Sequence, residues 1–361
     1  MNNNAIYVCS TLRHLLFSLA RASSKGEQSL IIFFVDYQGI SQDALNTRSL
    51  PSNIKLVLLE RSYITKSLKN SFWGRCLLVA SLRGLRFNRL TMSMLKKELT
   101  RLTPINPESF DNGQLFLFND NNKMSRLFKL LSPNYEIIED GIGNYLKVAV
   151  KGTKRYVRFL SGKTKNFWVF GESPRCTKIN VLYPEKLPKE VKHKGAPIEF
   201  LKHGLELKLI NDVFKFSPLL NDEENIIIAT QPKSKRILSL LSSDDFFISI
   251  YKEVEKYYKN RGVNVKIKLH PSENIASYKK YFGEDQFLSV KHPLELELLN
   301  NPNKKNIVVS INSSAGLGFE KFCIRKTLTK DGDMDHFCNS IVAWQGSEDI
   351  MKDDIERVLN S

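Results

Sequence analysis

Val263-Asn264-Val265-Lys266-Ile267-Lys268-Leu269-His270-Pro271 is the stretch whose reading decides the fold. Its apolar residues at 263, 265, 267 and 269 alternate with polar ones, which is the period of a β-strand. A His-Pro at the end of such a strand sits where open α/β sheets bind ligands, outside the carboxyl ends of the strands. An imidazole there can hand a proton or a hydrogen bond to a departing phosphate near neutral pH. The competing reading is a strand-end histidine bonded to backbone. A second His-Pro, His292-Pro293, reads instead as a proline opening the first turn of a helix.

Working outward, the same alternation of strand and helix recurs. Ile6–Cys9 is a strand, and Leu12–Ala22 is an amphipathic helix with Ser10 or Thr11 as its cap. Leu30–Val35 is an unbroken apolar run and Ile54–Leu59 one interrupted only by Lys55, as buried parallel strands are. Leu115–Phe118 and Tyr135–Ile138 continue the pattern around a helical Lys123–Leu131. From Lys151 to Lys202 the alternation lapses into prolines and lysines, which reads as edge strands and an interdomain connection. A second α/β unit follows: strand Ile226–Ala229, helix Asp245–Lys259, the opening strand, helix Leu294–Leu299, strand Ile307–Ile311 and helix Glu348–Asn360. The pattern predicts an α/β protein of two doubly wound domains facing across a cleft. Their expected limits are 1–190 and 191–345, with a C-terminal helix, 346–361, packing back on the first domain.

Length and composition agree with this. At roughly 150 residues per domain the 361 residues make about two domains. No stretch nears the ~20 consecutive apolar residues of a membrane span, and the start of the chain does not read as a secretory signal. The five cysteines lack any Cys-x-x-Cys pair, so reduced thiols in a cytosolic compartment are expected and zinc is not. The formal net charge of +16 draws polyanions. Between Ser62 and Lys97 no acidic residue occurs, and Lys66, Lys69, Arg75, Arg83, Arg86, Arg89, Lys96 and Lys97 alternate with apolar residues. That suits an anionic membrane surface or a polyanionic ligand. Lys151, Lys154, Arg155, Arg158, Lys163 and Lys165 form a second basic cluster, otherwise a solvated hairpin.

Three short motifs carry chemistry. Glu139-Asp140-Gly141 ends a strand, and a carboxylate turned into the cleft there can take a proton from an attacking hydroxyl; an acid-stabilised turn is the plainer account. Ser313-Ser314 precedes Ala315-Gly316-Leu317-Gly318 and reads as a helix start whose amides and hydroxyls cradle a phosphate, or as an ordinary serine cap. Asp331-Gly332-Asp333-Met334-Asp335 fails the calcium-loop pattern, because its twelfth position is Val342, and reads as a solvated turn.

In this order the motifs resemble those of bacterial sialyltransferases with two Rossmann-like domains of the GT-B type, above all the capsule polysialyltransferases. The resemblance spans most of the chain. It implies inverting, metal-independent transfer of sialic acid from CMP-sialic acid to the non-reducing end of a growing polysialic acid chain, in capsular polysaccharide synthesis, with no cofactor. Glu139 would deprotonate the acceptor hydroxyl and His270 would serve the departing phosphate. Lys268, Ser313, Ser314, Thr230 and Gln231 would bind the donor, with Glu295 on the ribose and Glu297 competing for that place. The acceptor-binding residues expected from the basic clusters are Arg83, Arg86, Lys69, Lys154 and Arg155. The implied partners are polysialic acid, the cytoplasmic face of the inner membrane and a capsule export complex, without nucleic acid. The alternatives are a lipooligosaccharide monosialyltransferase, a teichoic-acid-type polyol-phosphate transferase and a basic nucleic-acid-binding protein.

Overall fold

Strands buried on both faces need apolar side chains along their length, and the first two strands carry them at every position but Ser29. All residues of β1 (Ala5–Cys9) and β2 (Ser29–Phe34) are buried. The structure, a computed structural model, describes the chain except residues 1–4, 84–87, 112, 151, 153–154, 157, 159–165, 200–205, 220–223, 233–234, 244, 303–305 and 332. It divides into two units, Met1–Lys215 and Phe216–Ser361. The boundary lies beyond the expected 190/191 because a helix, Leu207–Phe214, still belongs to the first unit. Its Ile210, Val213 and Phe214 are buried, and the Val213 carbonyl accepts from the Asn46 N–H at 2.7 Å.

The first unit continues with β3 (Ile54–Leu59), β4 (Gln114–Leu117), β5 (Tyr135–Ile138), the short antiparallel pair β6 (Val148–Ala149) and β7 (Phe167–Trp168), then β8 (Cys176–Val181) and β9 (Gly195–Pro197). Its helices are α1 (Leu12–Lys25), α2 (Arg61–Lys69), α3 (Phe72–Arg83), α4 (Arg89–Leu102), α5 (Lys123–Phe128) and α6, the Leu207–Phe214 helix. The main sheet is parallel throughout, in the order β3-β2-β1-β4-β5-β8-β9. The chain builds outward from β1 to β3, then returns to place β4 on the other side of β1. The crevice at the carboxyl ends of β1 and β4 is therefore the topological switch point, where such sheets bind ligands. Thr11, not Ser10, caps α1 by accepting the His14 N–H at 3.2 Å.

The second unit contains β10 (Asn225–Ala229), α7 (Lys235–Leu238), α8 (Phe246–Lys259), β11 (Asn264–Lys268), α9 (Ile275–Lys279), α10 (Leu294–Asn300), β12 (Asn306–Ser310), β13 (Ile324–Thr327), α11 (Met334–Gly346) and α12 (Glu348–Asn360). Its parallel sheet runs β11-β10-β12-β13, so the switch point lies between β10 and β12. The last helix belongs to the second unit. Met351, Ile355 and Leu359 recur every fourth residue on α12 and are buried in the second unit's own core, together with Phe247, Tyr251 and Trp344. Each contributes about 1.5–3 kcal/mol by burial. The α/β class with parallel sheets is as the sequence predicts.

Candidate functional site

In the second unit Thr230, Gln231, His270, Ser313 and Ser314 gather at the carboxyl edge of the sheet, since they follow β10, β11 and β12 within a few residues. The His270 N–H donates to Thr230 Oγ1 at 2.9 Å, tying the end of β11 to the end of β10. His270 Nδ1 accepts from the Ser272 N–H at 3.2 Å and meets the Ser272 hydroxyl at 2.8 Å. With Nδ1 used as acceptor, the ring's proton sits on Nε2. Burial pushes the His270 pKa below its ordinary value. Thr230 also donates to Glu273, which accepts from the Tyr278 hydroxyl at 2.5 Å. Gln231 Oε1 accepts the Asn312 N–H at 2.7 Å and so ties the β10 end to the β12 end across the switch point. Thr230 and Gln231 hold the histidine and the serine loop in place from behind.

The serine loop differs from expectation. No helix begins at Ser313-Ser314; the segment is a run of tight turns, with Leu317 N–H on the Ser314 carbonyl and Phe319 N–H on the Gly316 carbonyl, both at 3.0 Å. The physical reason is the glycine pair: Gly316 and Gly318 take φ of 72° and 84°, a left-handed backbone that ends a helix before it starts. Arg325 clamps the loop from beneath, donating to the carbonyls of Ser313 and Ala315 at 2.9 Å each. Ser313 Oγ accepts the Ala315 N–H at 3.2 Å. Among the described residues the N–H groups of Ser314 and Gly316 make no hydrogen bond, so turn amides rather than a helix end are what this loop offers an anion. Asp331 pairs with the Arg325 guanidinium at 2.8 Å, and Asp333 caps α11 through the His336 N–H at 2.9 Å.

Lys268 and Glu297 also bond the backbone. Lys268 is buried, and its ammonium donates to the carbonyls of Ser289 and, at 2.5 Å, His292. Burial pulls its pKa down to about 8, against the opposing pull of Glu295 and Glu297. Glu297 Oε2 accepts the Leu219 N–H at 3.2 Å. Glu295 is buried in the first turn of α10.

In the first unit the acid pair splits into two environments. Glu139 prolongs the β5 ladder, its N–H bonding the Asn180 carbonyl at 3.0 Å, and its side chain is 0% exposed. Its carboxylate accepts from the Tyr145 hydroxyl and, at 2.8 Å, the Leu182 N–H, and lies 3.6 Å from the Arg13 guanidinium. Gly141, at φ 139°, then turns the chain, and the Asp140 side chain keeps 27% of its surface exposed. Asp140 Oδ1 lies 2.6 Å from His14 Nε2, and Oδ2 accepts from the Asn119 amide at 3.4 Å. His14 stacks on Phe118 with ring centroids 4.1 Å apart and accepts the Ser10 N–H on Nδ1 at 3.1 Å, which leaves Nε2 as the donor to Asp140. Burial pushes the Asp140 carboxyl up, but His14, Asn119 and Arg13 outweigh it and hold it below the usual range. His14, Phe118 and Asn119 all sit at the β1–β4 switch point. The sequence reading missed His14; the available signal was a histidine in the first turn after a strand and its cap.

Of the expected acceptor residues, Lys69 is exposed on α2, and Arg155 Nε donates to Asn166 Oδ1 at 3.2 Å. Arg86, Lys154 and the side chain of Arg83 lie outside the described residues. A hollow of about 420 Å³ is lined by Arg61, Ser62, Thr65, Lys66, Lys69 and Lys123. Burial, then the charges of Lys69 and Arg61, lower the Lys123 pKa. Arg61 follows β3 and Lys123 follows β4, so this hollow lies on the carboxyl edge of the same sheet as Asp140.

Against known proteins, the model of glycosyltransferase family 52 matches residues 56–330. No curated protein matches the chain. Among solved structures the chain is similar to the glycotransferase of kitacinnamycin, at 9% identity and TM-score 0.46, covering 99% of this chain and 91% of that one. It is also similar to the alpha,alpha-trehalose 6-phosphate synthase from Burkholderia multivorans, at 8% identity and TM-score 0.35, covering 99% and 94%.

Proposed function

The chain belongs to glycosyltransferase family 52, a family of bacterial sialyltransferases, and from that premise we propose that it extends polysialic acid, moving sialic acid from CMP-sialic acid to the end of the growing chain with inversion. The observation that carries the polymer reading is the cationic hollow. Strand order separates β3 from β5 by four steps, roughly 19 Å at about 4.8 Å each. A single-sugar acceptor at Asp140 has no use for Arg61, Lys66 and Lys69, which follow β3 at that remove and share the hollow with Lys123 after β4. An acceptor with a carboxylate on every residue does, and it relieves the mutual repulsion of these side chains.

In the transfer, the acceptor hydroxyl attacks the anomeric carbon of the donor. Its proton passes to a carboxylate of the acid pair. The bond from the anomeric carbon to the phosphate oxygen breaks, and that oxygen takes the electron pair and a proton or hydrogen bond from His270 Nε2. Asp140 is the carboxylate that an incoming hydroxyl can reach, because Glu139 is enclosed. His14 holds Asp140 in position without touching substrate. Glu139 fixes the loop through Tyr145 and Leu182. CMP leaves with one phosphate, so an imidazolium and turn amides suffice to offset its charge, and this reading calls for no metal.

The test is the product ladder from CMP-sialic acid and a labelled short sialic acid oligomer. Wild type should build a long ladder. Asp140→Asn should slow transfer by ~10²–10⁴, with a circular dichroism spectrum like that of wild type. His14→Gln should cost less and shift the pH profile, as expected of a positioning residue. A ladder that stops after one addition favours the lipooligosaccharide reading. If Asp140→Asn is fully active while a well-folded Glu139→Gln is dead, the base is Glu139.

A further inference from the structure

His270-Pro271-Ser272-Glu273 is one tight turn. The Glu273 N–H donates to the His270 carbonyl at 2.9 Å, and Pro271 takes the second position, where its fixed φ is already that of a turn. A carboxylate is thus delivered three residues after the histidine. Ser272 and Asn274 are exposed, and the loop borders a hollow of about 350 Å³ lined also by Pro232, Asp245 and Ile248. Side-chain packing does not hold His270 from that side, so hydrogen bonds must.

Those bonds close a ring. The His270 N–H donates to Thr230 Oγ1 at 2.9 Å, the Thr230 hydroxyl donates to Glu273 Oε2, and Glu273 returns to His270 through the turn. A hydroxyl has one proton, and a carboxylate only accepts. Glu273 therefore commits the Thr230 proton and leaves that oxygen's lone pairs to the His270 N–H. Thr230 is buried, and its bond to the carboxylate is of the strong, charge-assisted kind. The other Glu273 oxygen accepts from the Tyr278 hydroxyl at 2.5 Å, and Tyr278 is buried in α9. Burial, then the Glu273 charge, raise the Tyr278 pKa, so that hydroxyl stays a donor. Held from α9, Glu273 fixes both backbone groups of His270. With Nδ1 engaged by Ser272, Nε2 is the ring nitrogen left for the departing phosphate. We propose that Glu273 is a positioning residue for the transfer, aiming His270 Nε2 by way of Thr230 and the turn without touching substrate. This role rests on His270 serving the leaving phosphate.

A double-mutant cycle on sialyl transfer tests it. Glu273→Ala should lower kcat roughly tenfold to a hundredfold, as misplacing a reacting group by about 1 Å does, and leave KM for CMP-sialic acid nearly as it was. Glu273→Gln, whose amide oxygen still accepts from Thr230, should recover most of the loss. In a His270→Ala background Glu273→Ala should change the rate by less than about twofold, because the group it aims is gone. A residue that only held the fold would cost as much there as in wild type. That outcome overturns the proposal, and so does a wild-type kcat for Glu273→Ala. If Glu273→Ala does not fold, Thr230→Val keeps the branched shape, loses the hydroxyl and carries the same cycle. Full activity of His270→Ala would instead sink the leaving-group assignment, and the aiming role with it, so the two failures are told apart.

Discussion

Replacing Lys268 by methionine separates a scaffold cation from a donor-binding one. The ammonium is buried and fastens the segment 289–292 through two backbone carbonyls. Its pKa falls to about 8 from an ordinary 10.5 because burial disfavours the charged form. A lysine whose folded pKa lies below its unfolded one binds fewer protons when folded, so stability rises as pH climbs through about 8 toward 10.5. At about 1.36 kcal/mol per unit, this group adds roughly 2 kcal/mol between pH 7 and pH 9.5. Urea unfolding of wild type and Lys268→Met at several pH values reads this directly. The difference between the two cancels the tyrosines, whose folded pKa values are raised and whose contribution falls with pH. Wild type should gain the roughly 2 kcal/mol relative to the variant. Methionine also leaves the carbonyls of Ser289 and His292 without their donor, so the variant should be the less stable at pH 9.5. A pH dependence identical in both proteins would show that the ammonium is solvated and free to reach a donor, and the scaffold role would fall.

Two further outcomes follow from the second unit. Burial holds the His270 pKa below its ordinary value in the free protein, while a bound donor phosphate favours the imidazolium, so the alkaline limb of kcat should lie at higher pH than that of kcat/KM; coincident limbs would remove His270 from the leaving group. Gly316→Ala forces a side chain onto a φ of 72°, with the new Cβ 3.2 Å from the Cys323 sulfur and 3.3 Å from Arg325 Cγ. Strain of about 1–3 kcal/mol should raise KM for CMP-sialic acid more than it lowers kcat, and an unchanged KM would mean the loop does not carry the phosphate.

The sequence was most legible where burial leaves little choice. Ile54–Leu59, Tyr135–Ile138 and Glu348–Asn360 are found with the expected limits, the two strands because apolar residues crowd a short run and the helix because Met351, Ile355 and Leu359 recur at helical spacing. Helix α3 escaped assignment since its outer face is largely apolar and leaves it little period. Strand β13 is short and carries Arg325 and Lys326, so it lacks the apolar run of its neighbours. Within Glu139-Asp140 the division of labour depends on one backbone turn. The ladder continues through the Glu139 N–H and encloses that side chain, and Gly141 then releases Asp140. Two adjacent acids look alike in a string of letters.

That so many motif residues bond backbone groups has a common physical cause. Beyond the last rung of a parallel strand, amides and carbonyls lose their ladder partners and must find others or pay desolvation. Switch-point loops concentrate this demand, because neighbouring strands there diverge in connection. Thr230 answers it for His270, Gln231 for Asn312, Lys268 for Ser289 and His292, and Glu139 for Leu182. Polar residues at strand ends therefore mark where a ligand crevice lies more faithfully than they mark which atoms touch the ligand. The atoms left over once the backbone is satisfied are the better candidates: the Asp140 carboxylate, His270 Nε2, and the N–H groups of Ser314 and Gly316. Loss of a support should change several of these together, whereas loss of a contact atom should change one step of the reaction alone.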